Sequence, residues 1–152
     1  MKQFGGIAHK YTKFENSAIL LQSIPYDGTS TWGKGADKAF PAFLEAAENM
    51  ELYDIETDSE VYKKGIHILP EISEDSSPEA VYKAVYERTR ELLENNNKML
   101  TFMGGEHSIS IGIIKAFYEK YEDLTVLQLD AHADLRENYL GSGFNHACAM
   151  YD

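Results

Sequence analysis

The chain has 152 residues, 43% hydrophobic and 26% charged, with a formal net charge of −11. That length and balance suit one modest globular domain with a buried core. The acidity excludes a phosphate-binding nucleic-acid surface and favours small cationic molecules by steering.

Cys148 is the sole cysteine, so no internal disulfide can form. The first six residues lack the apolar core of a signal peptide, and no apolar run is long enough to span a bilayer. The expected setting is the cytoplasm, with no membrane partner.

Residues 1–16 are polar and irregular and are expected as a surface arm. Residues 17–24 form a short apolar run ending at Pro25, the expected first core strand. Pro25-Tyr26-Asp27-Gly28-Thr29-Ser30 has turn chemistry, and such a loop after a strand either carries function or only turns the chain. From residue 36 to 49 the pattern is helical, with Phe40, Phe43, Leu44 and Ala47 on one stripe and Pro41 suited to the first turn. Residues 51–55 read as a short strand, 56–65 as an exposed loop or hairpin, and 65–70 as another short strand. His67 lies between two isoleucines there and fits a structural or surface role better than a ligand.

Ser77-Pro78-Glu79 predicts a helix start: a capping serine, proline at the first helical position and an acid in the first turn. Val81, Val85, Thr89 and Leu92 then recur at helical spacing until Asn95-Asn96-Asn97 ends the run. A strand is expected over 98–103, broken by Gly104-Gly105. A helix over 108–121 would turn Ile109, Ile113, Ile114 and Phe117 inward. Residues 124–128 read as a buried strand, and 145–151 as the beginning of a further helix. This alternation predicts βαβ units and a mostly parallel sheet, an α/β fold.

Chemistry-bearing residues gather after the last two strands. If extension continues through Leu129-Asp130-Ala131-His132-Ala133-Asp134, then Asp130, His132 and Asp134 point the same way. Ligand sites in open α/β sheets lie at such carboxyl ends of strands. Taken alone, the run also fits a polar turn. Met103-Gly104-Gly105-Glu106-His107-Ser108 repeats the arrangement one unit earlier, and His107 alone fits a cap as well as a ligand. Together the four side chains make a donor set for a hard or borderline divalent ion. Glu106 fits either a group that orients the imidazoles or a surface acid.

Gly-Gly-Glu-His-Ser at 104–108, Asp-Ala-His-Ala-Asp at 130–134 and Tyr-Leu-Gly-Ser-Gly-Phe-Asn-His at 139–146 resemble the ureohydrolase superfamily of arginases, agmatinases and related guanidino-acid hydrolases. The loop at 25–30 is similar to that family's N-terminal segment. The resemblance implies a three-layer α/β/α fold of arginase/deacetylase type and a site for two manganese ions. It implies His107 and Asp134 on the first ion, His132 on the second, and Asp130 bridging both. His146 would match the active-site histidine, a proton shuttle or substrate contact, and Asp134 would also accept a proton.

Leu135-Arg136-Glu137-Asn138-Tyr139, with Gly141-Ser142 and His146 after it, is similar to agmatinases rather than to the Asn-Thr-Pro type segment of arginases. The implied reaction is hydrolysis of agmatine to putrescine and urea, with other guanidino acids and arginine as alternatives. The family's second metal motif, Ser-x-Asp-x-Asp-x-x-Asp-Pro, and its later glutamate are absent. Two ions also need more donors than four residues with one bridge supply. The sequence is therefore expected to be the N-terminal part, residues 1–152, of one longer ureohydrolase domain, its sheet incomplete and this part alone inactive. Full-length trimers or hexamers are what the resemblance implies. A non-catalytic fragment or pseudoenzyme is the rival from another class. A metallophosphoesterase is disfavoured because no Gly-Asn-His-Asp or Gly-Asn-His-Glu motif occurs.

Overall fold

The computed structural model describes residues 3–151. Three strands, β1 (Ile19–Ile24), β2 (Ile66–Ile68) and β3 (Met99–Gly104), form a parallel sheet in the order β2-β1-β3. Three helices accompany them: α1 (Ala39–Ala47), α2 (Pro78–Asn95) and α3 (Ile109–Lys120). Ile19 of β1 pairs with Ile66 and Met99, and Ile24 pairs with Gly104.

Being central, β1 is covered on both faces, and its alternation sorts the core into layers. Leu20 and Ile24 face the α2 and α3 side, where Val81, Val85, Leu92 and Ile109 are buried. Leu21 faces Phe40 and Leu44 of α1. Gln22, only 1% exposed, donates to the carbonyls of Pro70 (2.7 Å) and Ser23 (3.1 Å), so its burial leaves the amide nitrogen satisfied. Helices on both faces of a parallel sheet make the expected α/β/α layering, here on three strands.

Local signals act where they were read. The Ser77 hydroxyl accepts from the N–H of Ala80 at 3.1 Å, capping α2 with proline at its first position. The side chains of Asn95 and Asn96 turn back to carbonyls of the last turn, of Glu91 and Leu92, and α2 stops there. Gly112 lets α3 lie against α2: a Cβ there would sit 2.8 Å from the Tyr82 carbonyl oxygen.

Four expectations are corrected. The N-terminal segment is not a surface arm over its whole described length; Ile7 is 2% exposed and Phe4 packs on Phe43, with ring centroids 5.8 Å apart. Apolar side chains spaced through its 3-10 turns reach the α1 layer, which overrides the polar composition. Residues 51–55 make no strand, only an Asp54–Ser59 bridge closing a tight turn. Residues 145–151 contribute a single 3-10 turn, His146–Cys148, rather than an α-helix.

The largest correction is at 124–128. This run joins no strand ladder, and among the described residues no backbone–backbone hydrogen bond involves residues 124–133. Leu127 and Leu129 are 82% and 90% exposed. An apolar run becomes a buried strand only when neighbours pair with it and cover it, and here neither occurs.

Candidate metal and catalytic site

The carboxyl ends of β1 and β3 lie side by side and their loops interlock. The N–H of Gly105 donates to the Ile24 carbonyl (3.2 Å), and that of Glu106 donates to the Tyr26 carbonyl (3.0 Å). Only glycine fits at 105, since a Cβ would stand 1.7 Å from the Tyr26 carbonyl oxygen. The two glycines thus let the β3 turn sit on the 25–30 loop before α3 begins.

From this turn, Glu106 points inward and His107 outward. The Glu106 carboxylate, 8% exposed, accepts from the Thr29 N–H (3.1 Å) and hydroxyl (2.7 Å), and from the Ser108 N–H (2.7 Å) and hydroxyl (2.9 Å). It is neither a surface acid nor a partner of the His107 or His132 imidazole: its bonds tie the 25–30 loop to the start of α3. Asp27 closes the other end of the same loop. Its carboxylate accepts from the Ser30 hydroxyl and from the N–H groups of Gly35 (2.6 Å) and Ala36 (3.1 Å). The Ser30 hydroxyl bond, then the Gly35 N–H, hold the Asp27 carboxyl below its ordinary value, with burial opposing them.

His107 reaches the two acids predicted for it. Its Nδ1 lies 2.9 Å from Asp134 Oδ2 and 3.2 Å from Asp130 Oδ2. One ligand atom from each of these three residues lies within 4.8 Å of the others. The Asp130 carboxyl is held below its ordinary value first by the His132 N–H, at 2.8 Å; burial opposes this, and the imidazoles of His107 and His132 assist.

The convergence does not come from strand alternation. Asp134 has φ of +50°, a left-handed turn that aspartate tolerates better than most residues, and this turn brings its carboxylate round to Asp130. His132 stands beside the trio rather than in it: its Nδ1 is 3.7 Å from Asp130 Oδ1 and its side chain is 84% exposed.

His146 is held separately. Its N–H donates to the Thr29 hydroxyl oxygen (3.0 Å), its Nδ1 lies 3.2 Å from that oxygen, and its ring meets Tyr139 edge-on. The segment bearing it is anchored by the Ser142 hydroxyl on Glu79 (2.6 Å), by Phe144 stacked on Tyr82, and by the Met150 N–H on the Asp134 carbonyl (3.0 Å).

The trio fits a divalent cation. Two carboxylates whose side chains are 14% and 8% exposed face one imidazole and concentrate negative charge, and oxygen with imidazole nitrogen suits hard or borderline ions. His107 Nδ1 is hydrogen-bonded to Asp134 and stands 3.2 Å from Asp130; an imidazole nitrogen ligates a cation only when it carries no proton.

The sequence pattern of the Arginase family matches residues 17–152. The chain belongs to the arginase family. As an arginase-family chain it is 32% identical over 146 residues to an N(1)-aminopropylagmatine ureohydrolase of Synechocystis sp., covering 91% of this chain and 47% of the relative. It is 32% identical over 135 residues to an agmatinase of Pyrococcus horikoshii, covering 88% and 46%. The structure of an agmatine ureohydrolase of Thermoplasma volcanium superposes with a TM-score of 0.85 at 28% identity, covering 98% of this chain and 50% of that one. The chain thus spans about half the length of the curated relatives it matches. Among the described residues no helix is long and apolar enough to cross a membrane.

Sequence reasoning left Thr29 without a role, although its loop was singled out. A hydroxyl directly after the Asp-Gly turn, opposite a strand that ends Gly-Gly-Glu, was the available signal.

Proposed function

We propose that this chain is the N-terminal part of a manganese-dependent amidinohydrolase that cleaves a guanidino compound to urea and an amine, with agmatine, giving putrescine, as the favoured substrate. The observation that carries the reading is the meeting of His107, Asp130 and Asp134 at the ends of the sheet, in the order of the family motifs. His107, Asp130, Asp134 and the adjacent His132 would hold the manganese, which when bound supplies Lewis-acid activation of water near neutral pH.

This chain's residues would do the rest. Asp134, one oxygen engaged with His107, keeps its other oxygen to accept a proton. His146, anchored by its own backbone to Thr29, would deliver a proton to the departing amine. The net charge of −11 favours a cationic substrate. We further propose cytoplasmic residence, a full-length homo-oligomer (trimer or hexamer), and no nucleic-acid or membrane partner.

N(1)-aminopropylagmatine is a second substrate reading, supported by the Synechocystis relative. A non-catalytic fragment is the rival, supported by the coverage of half of each relative. Urea release by the manganese-loaded complete gene product tests these readings. The expected order is agmatine, or its aminopropyl derivative, ahead of arginine. Preference for arginine would overturn the substrate, and no urea from any guanidino compound would overturn the activity. Metal counting on the 152-residue chain tests the fragment: two tightly held ions together with urea release would defeat it.

A further inference from the structure

The Thr29 hydroxyl has three partners, which use up its hydrogen-bonding capacity. It lies 2.7 Å from Glu106 Oε1, 3.0 Å from the backbone nitrogen of His146 and 3.2 Å from His146 Nδ1. A hydroxyl has one proton to give and two lone pairs to receive with. Glu106 already accepts the backbone N–H of Thr29 on Oε1 and that of Ser108 on Oε2, so it stands as an acceptor and the hydroxyl proton goes to it. The backbone N–H of His146 can only donate, and takes one lone pair. What remains for His146 Nδ1 is the second lone pair, and only a protonated Nδ1 can use it.

We propose that Thr29, locked by Glu106, is a positioning residue that fixes neutral His146 as the Nδ1–H tautomer. Nε2 is thereby left as the nitrogen that takes up and releases a proton. Tyr139, edge-on to the ring at 5.7 Å between centroids, and the backbone bond to the same hydroxyl hold the ring in that orientation. The catalytic meaning of the tautomer rests on the reading of His146 as a proton shuttle, whereas the tautomer itself follows from the bonds alone.

The test is a long-range proton–nitrogen NMR correlation on the 15N-histidine-labelled 152-residue chain, with neutral imidazoles and His146→Asn used to assign the signal. His67 is an internal reference, because its Nδ1 lies 2.8 Å from the Thr12 carbonyl oxygen, which requires Nδ1–H. The expected spectrum gives His146 the same signature as His67. Thr29→Ser, which keeps the hydroxyl, preserves it. Thr29→Val, which removes both the donor and the lone pairs, moves His146 to the tautomer mixture of exposed His9. An Nε2–H signature in the unaltered chain overturns the proposal even if the valine variant does not fold, and so does an unchanged tautomer in a folded Thr29→Val chain. The NMR result is independent of the urea assay, so a failure of the proposed activity is distinguishable from a failure of this assignment.

Discussion

Glu106 and His107 are adjacent in sequence and opposite in surroundings. Glu106 is enclosed, with four donors from Thr29 and Ser108 converging on its carboxylate. The His107 side chain is 55% exposed and meets Asp130 and Asp134 across an open side. One turn delivers both because the two glycines before it allow the chain to press against Tyr26. The difference separates two tasks. A saturated carboxylate fastens loops together, whereas an imidazole between two acids is placed where, on the proposed function, a cation would be held.

Removing Glu106 should therefore have the largest effect on stability. Glu106→Ala strands two buried N–H groups and two hydroxyls, and is expected to cost about 3 kcal/mol, measured as a loss of unfolding free energy in urea. A cost under about 0.5 kcal/mol would erase the contrast with its neighbour.

Asp134→Asn sharpens the contrast from the other side. Asparagine tolerates the left-handed backbone, so stability should stay within about 0.5 kcal/mol of the parent. Manganese affinity, followed by titration calorimetry, should fall at least about tenfold. An unchanged affinity would show that the trio is not where the cation sits.

The smallest effect concerns Asp27, on the enclosed side. Its folded-state carboxyl is depressed, so its contribution is complete above the ordinary carboxylate value of about 3.9. That contribution declines as pH falls through the lower folded-state value. Asp27→Asn should lower the melting temperature at neutral pH, and the gap should close at the most acidic pH at which the fold survives. A gap independent of pH would mean that the loop is held by something other than this carboxylate.

Features set by neighbours along the chain were legible in the sequence. The Ser77 cap, the Asn95–Asn96 stop and the apolar run of β1 ending before Pro25 each depend on residues within a turn or on one strand's pattern. The run at 124–128 has an equally strong apolar pattern yet forms no strand, because pairing is a property of the partner and not of the run. The site divides the same way. His107, Asp130 and Asp134 do come together, but through a left-handed residue that the periodicity did not indicate, and the expected alternation would have carried His132 with them. The enclosure of Glu106 by Thr29 joins residues 77 positions apart, a link that no local pattern encodes.

Asp134 faces two ways: its carboxylate meets His107, while its carbonyl oxygen receives the N–H of Met150, just past the turn that bears His146. The residue is in effect a pivot shared by the acids facing His107 and the histidine segment. The Arg136 N–H on the Ala147 carbonyl (3.1 Å) adds a second tie between the same two segments, so a substitution that displaces the backbone at Met150 is expected to shift Asp134 and His146 together, as one lever.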